Sequence, residues 1–224
     1  MASNVSTPST GDGEATQASD PNSDGKTILT LPNGIGVREW RASDAASAAR
    51  SGNNRRIWDN LRDRMPHPYT PADAAWWISQ CRGPSCHVAS GAFDPSTGTG
   101  TGPLQSTNYC VTIDDVAVGA IGLDFGSDVR KRVAELGYWL GEEHWGKGVM
   151  SAVVPAYVAW AWRTFDRLVR LDGEYYEWNK ASGKLLEKAG FKYEGRREAA
   201  VWKNGKIGAT LLYGCIRPGL FDEK

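Results

Sequence analysis

The stretch from Ala134 to Trp162, AELGYWLGEEHWGKGVMSAVVPAYVAWAW, constrains the fold more than any other part of the chain. Its first part alternates larger and smaller side chains, and its aromatic residues suit a pleated surface, which predicts a strand over 133–140. A turn with Gly146 and Gly148 follows, and the apolar residues beyond it recur three or four positions apart, as in a helix. These residues are Val149, Val153, Ala156, Tyr157 and Trp160. The stretch therefore predicts a strand, a glycine turn and a helix that runs to about residue 162.

A strand that enters a helix through a glycine turn can bind a phosphate group. Glycine lets the backbone approach closely, and the N–H groups and positive end of the helix face the anion. Lys147 would add a positive charge, and Ser151 a hydroxyl donor. A purely structural turn is the alternative, because the bend itself favours glycine. The pattern is neither the phosphate loop of ATPases nor the dinucleotide fingerprint, which would place a third glycine where Ser151 stands.

Two motifs resemble the GNAT acetyltransferases. The first is WGKGVMS at 145–151, preceded by AELGYWL at 134–140, and the second is NKASGKLLEKAGF at 179–191. The resemblance covers roughly residues 35 to 218, and within the family the chain is most similar to the Rim-type branch. That branch includes ribosomal-protein N-terminal acetyltransferases, polyamine acetyltransferases and some aminoglycoside acetyltransferases. The resemblance implies an α+β (mixed α/β) fold, with a central, mostly antiparallel twisted sheet, flanking helices and splayed strands at the cofactor site.

The same resemblance implies an N-acetyltransferase that uses acetyl-CoA as acetyl donor and needs no metal. The acceptor would be a primary amine of a small molecule or of a protein N-terminus, and the transfer would be direct. A degenerate member that binds acyl-CoA as a sensor or scaffold is the alternative. The cofactor-binding positions implied are Tyr138, Trp139, Leu140, Trp145, Gly146, Lys147, Gly148, Val149, Met150, Ser151, Asn179, Ser182 and Leu186.

Three positions within the two motifs depart from the family pattern, and outside them Ala209 stands where the family often has an acidic residue. Trp145 replaces the usual Gln or Arg at the head of the turn, which is common in the Rim-type branch. Met150 replaces a usual Gly or Ala and could crowd the pyrophosphate. Leu186 stands where many members carry a tyrosine acid, so the proton for the departing thiolate must come from elsewhere. Met150 and Leu186 are the features that favour the degenerate alternative.

Transfer of an acyl group from a thioester to an amine needs a neutral amine, a polarised carbonyl and a proton for the thiolate. Glu135 matches a strand carboxylate that deprotonates the amine through water in relatives, and its alternative role is an ion pair with Arg130 or Arg132. Ser182 is the first candidate for the acid, water the second and Tyr213 the third. Backbone N–H groups near Leu140 would polarise the carbonyl.

Other polar residues of the motifs also have two interpretations. Asn179 is a good helix cap, and in the family the matching Asn also reaches the pantetheine arm. The segment 65–73, MPHPYTPAD, is either a stiff connector or a wall of the acceptor pocket, with His67 and Tyr69 as its polar handles. The substrate-binding residues expected are therefore His67, Tyr69 and Glu135. The acceptor itself cannot be named from the sequence.

The composition of the chain limits the kinds of partner, compartment and metal site that we expect. The 26 Lys and Arg residues balance 26 Asp and Glu residues, which argues against a nucleic-acid partner. Four cysteines without a framework and no secretory signal predict a reduced, cytoplasmic protein, either monomeric or homodimeric. No run approaches the roughly 18 apolar residues of a membrane helix. Cys81, Cys86 and His87 form only an incomplete zinc pattern, so we expect no metal.

The chain divides into a tail and one domain. Residues 1–25 are almost free of apolar side chains and predict a disordered tail, and residues 26–224 predict a single acetyltransferase domain. Residues 91–108, with TGTGTG, predict a flexible insertion. Further strands are expected at 27–31, 35–40, 109–113, 117–125, 168–172, 192–194 and 209–216. Further helices are expected from 43 or 44 to 50 and at 53–62, 72–81 and 181–189.

Overall fold

The computed structural model describes residues 25–221. The predicted tail lies outside the described residues, apart from Gly25. The α-helices are α1 Ala45–Gly52, α2 Arg55–Trp58, α3 Pro71–Arg82, α4 Val149–Thr164 and α5 Lys180–Lys188. The strands are β1 Thr27–Thr30, β2 Ile35–Arg38, β3 His87–Ala89, β4 Phe93–Asp94, β5 Thr99–Gly100, β6 Leu104–Ser106, β7 Asn108–Ile113, β8 Val116–Phe125, β9 Val133–Leu140, β10 Arg170–Tyr176, β11 Lys192–Lys203 and β12 Lys206–Ile216.

Eight of these strands form one central sheet in the order β1-β2-β7-β8-β9-β10-β12-β11. Every neighbouring pair is antiparallel except β9 and β10, which are parallel because α4 connects them as a crossover. The predicted α+β class with a mostly antiparallel sheet is therefore confirmed.

Helices cover both faces of the sheet. On one face α4 buries Val153, Tyr157 and Ala161 against the main core, which also takes the side chain of Leu186 from α5. On the other face α1 and α3 form a smaller core with Cys110 of β7 and other residues. Neighbouring residues of a strand point to opposite faces, so the two cores share the same strands. The fold has three layers, and the site described below connects the outer two.

The C-terminal hairpin is longer than the sequence patterns predict. Strand β11 extends over 192–203 instead of 192–194, and β12 begins at residue 206 instead of 209. Asn204 and Gly205 form the two-residue turn, with positive φ values of 54° and 75°. Most of β11 is exposed, and register shifts occur at 193/195 and 197/201, so the strand lacks the regular alternation on which a prediction depends.

Two other predicted elements differ in extent. The helix expected over 53–62 is limited to α2, where the side chain of Asn54 caps the backbone N–H of Arg56. Residues 59–66 leave the helix and form part of a wall, described below. The strand expected over 168–172 is β10, which begins at residue 170 and continues to residue 176.

The segment 91–108 contains regular structure that its composition did not suggest. Strand β4 pairs with β5, and β3 pairs with β6, in two small antiparallel ladders. The flexibility of this segment stays a prediction, as does the boundary of the tail.

Candidate functional site

The central feature of the site is a gap between β9 and β10. The ladder that joins them covers only 133–135 and 170–172, and its last pair is Glu135 with Asp172. Beyond that pair the strands no longer pair, although β9 continues to residue 140 and β10 to residue 176. The splayed strands expected at the cofactor site are therefore present.

Backbone groups of β9 point into this gap. The N–H of Gly141 donates to the carbonyl of Val118 at 2.8 Å, which fixes the hydrogen-bonding parity between β8 and β9. In an antiparallel ladder alternate residues point their N–H and C=O groups away from the partner strand. The N–H groups of Tyr138 and Leu140 consequently turn away from β8 and toward the gap, where they are available to a ligand.

The glycine turn lies at the same end of β9. Gly146 and Gly148 have φ values of 72° and 79°, the left-handed region that favours glycine. A Cβ atom placed on either glycine would meet nothing within 4 Å, so the turn faces open space. Helix α4 starts directly after Gly148, and the backbone N–H groups of residues 149–151 have no acceptor within the helix. The turn thus presents several donors and a positive helix end to the same space.

Trp145 lines this space, whereas the side chain of Lys147 does not. The indole Nε1–H of Trp145 donates to the carbonyl of Leu140 at 2.8 Å and ties the turn to the end of β9. The guanidinium of Arg56 lies over that indole, 5.2 Å from its centre. The side chain of Lys147 is exposed and is not among the lining residues.

Gap and turn open into one cleft of about 1090 Å³. The predicted cofactor-binding residues that line this cleft are Tyr138, Trp139, Leu140, Trp145, Gly146, Gly148, Val149, Met150, Ser151, Asn179, Ser182 and Leu186. From the predicted acceptor set it is lined by Glu135 and Tyr69. The cleft therefore collects residues from both sequence motifs and from the segment 65–73.

Ser182 and Tyr138 face each other across the gap. The Ser182 Oγ and Tyr138 Oη atoms are 2.7 Å apart, on α5 and β9 respectively. Burial raises the pKa of Tyr138 to about 12, so this hydroxyl stays protonated at neutral pH. The side chain of Asn179 caps α5 by accepting from the N–H of Ser182 at 3.4 Å, which is the structural role expected for it. Leu186 is buried, with Gly173 of β10 beside it, and brings no polar atom to the cleft.

Glu135 points to the opposite face of the sheet, because odd-numbered residues of β9 lie on the side away from α4. Its carboxylate forms an ion pair with Arg62 from the segment 59–66. The alternative partners expected from the sequence are engaged elsewhere: Arg130 pairs with Asp172, and Arg132 donates to the carbonyl of Arg167. Glu135 thus forms an ion pair, but neither of the two partners expected from the sequence was right, and its role as a base stays a prediction.

Tyr69 and His67 differ in position. Tyr69 is buried in the smaller core and lines the cleft, and burial raises the pKa of its hydroxyl to about 12. His67 is exposed and stacks on Trp58, with ring centres 5.7 Å apart, and is not among the residues that line the cleft. Tyr69 therefore lies in the cleft, and His67 does not.

Tyr213 is not brought to the cleft either. Its hydroxyl donates to Glu187 at 2.9 Å, and its ring packs between those of Tyr175 and Tyr193. It is buried and does not line the cleft. This position matches the core role that aromatic residues commonly have in strands, and Tyr213 is not carried further as an acid.

Several cleft residues were not expected from the sequence. Glu174 and Tyr176 of β10 lie on the same face as Glu135, because they alternate with Leu171 and Tyr175 of the main core. The strand pattern 170–176 carries this alternation of polar and apolar residues, but a strand ending at residue 172 omits it. The segment 59–66, which supplies Arg62, gave no signal beyond its position after α2.

The wall over this face, defined as residues 55–66, is tied to distant parts of the chain. The Arg56 side chain forms an ion pair with Glu142, beside the glycine turn. On the other side, the buried Lys203 at the end of β11 places its Nζ 3.4 Å from the ring centre of Trp58 and 2.5 Å from the Asp63 carboxylate. The wall thus bridges the cleft between the turn and the C-terminal hairpin.

Neither a metal site nor a membrane-spanning helix is found in the described part of the chain. Within residues 25–221, no cluster of three or more His, Cys, Asp or Glu side chains is arranged to hold a metal ion. Over the same residues, none of the helices has the length and apolar character that crossing a bilayer requires.

Solved structures share the fold. One is the ribosomal-protein-S5-alanine acetyltransferase of Vibrio fischeri, with a TM-score of 0.67 and 19% identity over 87% of this chain and 98% of that one. A second is RimL, a ribosomal L7/L12 alpha-N-protein acetyltransferase solved with coenzyme A, with a TM-score of 0.64 and 17% identity over 85% and 98%. Mycobacterium smegmatis RimJ, solved with a CoA disulfide, gives 0.64 and 18% over 88% of each chain. At these identities, the likeness shows a shared fold.

Sequence comparison gives the family. The chain is 32% identical over 101 residues to the uncharacterized N-acetyltransferase YoaA of Bacillus subtilis, which is 45% of this chain and 56% of that protein. It is 34% identical over 103 residues to the probable N-acetyltransferase YjcK of the same organism, again covering 56% of that protein. The chain thus spans little more than half the length of these curated relatives. The acetyltransferase (GNAT) domain model matches residues 35–192, and the chain belongs to the GNAT acetyltransferase family.

Proposed function

We propose that this chain is an N-acetyltransferase that moves the acetyl group of acetyl-CoA directly to a primary amine. One observation carries the proposal. A single cleft leads from the α4 N-terminus, through the gap between β9 and β10, to the carboxylate of Glu135 on the opposite face of the sheet. A donor and an acceptor that enter from opposite faces would meet in the gap.

The donor end fits the phosphates and the pantetheine arm of acetyl-CoA. The open turn at Gly146 and Gly148 and the N–H groups of residues 149–151 would hold the pyrophosphate. Met150 lies in the first turn of the helix, and its backbone N–H needs no particular side chain to donate. The N–H groups of Tyr138 and Leu140 would hold the arm and polarise the thioester carbonyl. When bound, acetyl-CoA supplies an activated acyl group.

Two side chains would move protons during the transfer. Glu135 would accept, through water, a proton from the ammonium form of the amine, which frees the nitrogen lone pair to bond to the carbonyl carbon; the second proton that the nitrogen loses on forming the amide leaves to solvent. Ser182 would donate its hydroxyl proton to the sulfur as the carbon–sulfur bond breaks, and Tyr138, 2.7 Å away, could replace that proton. Tyr138 thus brings to the cleft the tyrosine hydroxyl that Leu186 does not provide.

The acceptor class follows from the side chains around Glu135. Helix α3 contributes tryptophan rings to the cleft, β10 contributes tyrosine rings, and both the wall and β10 contribute carboxylates, which suits an amine that arrives as a cation beside apolar groups. The names of two structural neighbours refer to ribosomal proteins, one to an alanine of S5 and the other to the alpha-N position of L7/L12. We therefore include a peptide N-terminus among the acceptors, together with amines of small molecules.

The test combines binding and turnover. Calorimetry with coenzyme A and acetyl-CoA is expected to show one site, and thiol release is expected with at least one primary amine from a panel of polyamines, amino sugars and short peptides. Binding without turnover across the panel would indicate the acyl-CoA sensor instead. Failure to bind either form of the cofactor would overturn the proposal.

A further inference from the structure

A cation already occupies the acceptor end of the cleft. Arg62 reaches from the wall to the carboxylate of Glu135, and both residues line the cleft. Glu174 and Tyr176 lie close enough to interact electrostatically with the same guanidinium. Arg62 therefore marks a place where a positive group is held among two carboxylates and a phenol.

This ion pair is poorly shielded from water. The Arg62 and Glu135 side chains are 48% and 35% exposed. Exposed pairs of this kind contribute about 0–1 kcal/mol, because water and salt screen the attraction and two long side chains lose freedom. The arginine can therefore be replaced by another cation at little cost, and Glu135 would remain paired throughout the exchange.

Two neighbouring carboxylates on this face, Asp172 and Asp124, have other partners. Asp172 is paired with both Arg130 and Arg170, and it does not line the cleft. Asp124 is 3.8 Å from Arg64 at the rim, with both side chains more than 60% exposed. Glu135 is thus the carboxylate that stands at the end of the β9–β10 ladder, next to the gap, with a displaceable partner.

We propose that Arg62 is a resident competitor of the acceptor, and that the ammonium group of the acceptor displaces it from Glu135. The inference rests on the proposed function and deepens it. The substrate is a cationic primary amine, and its ammonium group replaces Arg62 at Glu135 before the ammonium loses a proton. After the exchange the carboxylate holds the ammonium group close enough to accept its proton through a bridging water. Arg62 is a specificity residue, since it contacts no reacting atom once displaced.

The test measures binding without catalysis. The protein is saturated with coenzyme A, and 2-phenylethylamine is titrated calorimetrically at pH 8, where its amine is mostly protonated. The uncharged 2-phenylethanol is the matched ligand. Arg62→Gln removes the competing charge and is expected to tighten amine binding about three- to fivefold, the range that an exposed pair allows. Binding of the alcohol should not change.

Two control variants separate competition from structure. Arg62→Lys keeps the positive charge and should bind the amine as the unaltered chain does. Arg130→Gln removes an arginine from the adjacent carboxylate Asp172, outside the cleft, and should also leave amine binding unchanged. All variants are compared by melting temperature.

Three results would overturn the inference: equal or weaker amine binding in Arg62→Gln, an equal gain for the alcohol, or no amine binding in any variant. The proposed function fails on a different result, the absence of cofactor binding, or of turnover with every amine tested. The two failures are thus distinguishable.

Discussion

The two ends of the cleft are built from different parts of the polypeptide. The cofactor end consists mainly of backbone: two left-handed glycines, the first turn of α4 and the edge of β9 at the gap. The acceptor end consists of side chains from the wall and from β9 and β10, and Lys203 at the far end of β11 holds the wall in place. A site of backbone donors depends on a few consecutive residues, whereas a site of side chains depends on long-range packing. Substitutions should therefore affect the two ends separately.

The largest effect is expected at Glu135. Glu135→Gln removes the proposed base without changing the size of the side chain, and turnover should fall about 100-fold or more because the amine would remain protonated. The cofactor dissociation constant should stay the same, since Glu135 lies at the other end of the cleft. Steady-state kinetics and calorimetry on the same preparation measure both quantities.

The control for Glu135→Gln is Asp172→Asn, which alters the neighbouring carboxylate in the cross-strand register. Its turnover should remain close to that of the unaltered chain. A comparable loss in both variants would mean that charge on this face, rather than a base, is required.

The next effect is expected at the glycine turn. Gly148→Val places a branched side chain at a φ of 79°, next to the predicted phosphate position, and should raise the cofactor dissociation constant at least about tenfold, or about 1.4 kcal/mol. Gly190→Val is the matched control, because Gly190 also has a positive φ, of 90°, and open space around it, but lies outside the cleft. If both variants weaken cofactor binding equally, strain rather than contact is the cause.

A smaller effect is expected from the hairpin that holds the wall. Lys203→Met removes the buried cation from Trp58 and Asp63, and the KM for the acceptor should rise about fivefold, or about 1 kcal/mol. Cofactor affinity should not change. Lys206→Met, at an exposed position of the same hairpin, should alter neither value. Loss of cofactor affinity in the first variant would show that the two ends are coupled through the wall.

The smallest effect is expected at the hydroxyl pair. Ser182→Ala should lower turnover only about threefold, because water can protonate the thiolate in an open cleft. Tyr138→Phe should give a similar loss, and the double variant should be little worse than either single one, since both act through one hydrogen bond. Additive losses would assign the two hydroxyls to separate roles.

The difference between a site of consecutive backbone groups and a site of distant side chains also explains what the sequence could predict. The strand at 133–140, the glycine turn and the helix after it are local patterns, and all three were found where expected. The partner of Glu135 could not be found in this way, because Arg62 is 73 positions away and follows a helix that ends at residue 58. Lys203 contacts Asp63 across 140 positions. Its strand was recognised only at its start, although the Asn204–Gly205 pair was a readable turn signal.

The order of the strands has a consequence for solubility. A sheet has two outer strands whose unpaired N–H and C=O groups can template the addition of strands from other chains. Here one outer strand, β1, is only four residues long, and the other, β11, carries two register shifts and charged residues such as Arg196 and Glu198. With 26 positive and 26 negative residues, the chain has no net charge to keep its copies apart. Protection against edge-to-edge aggregation must therefore come from the shape and charges of these two strands.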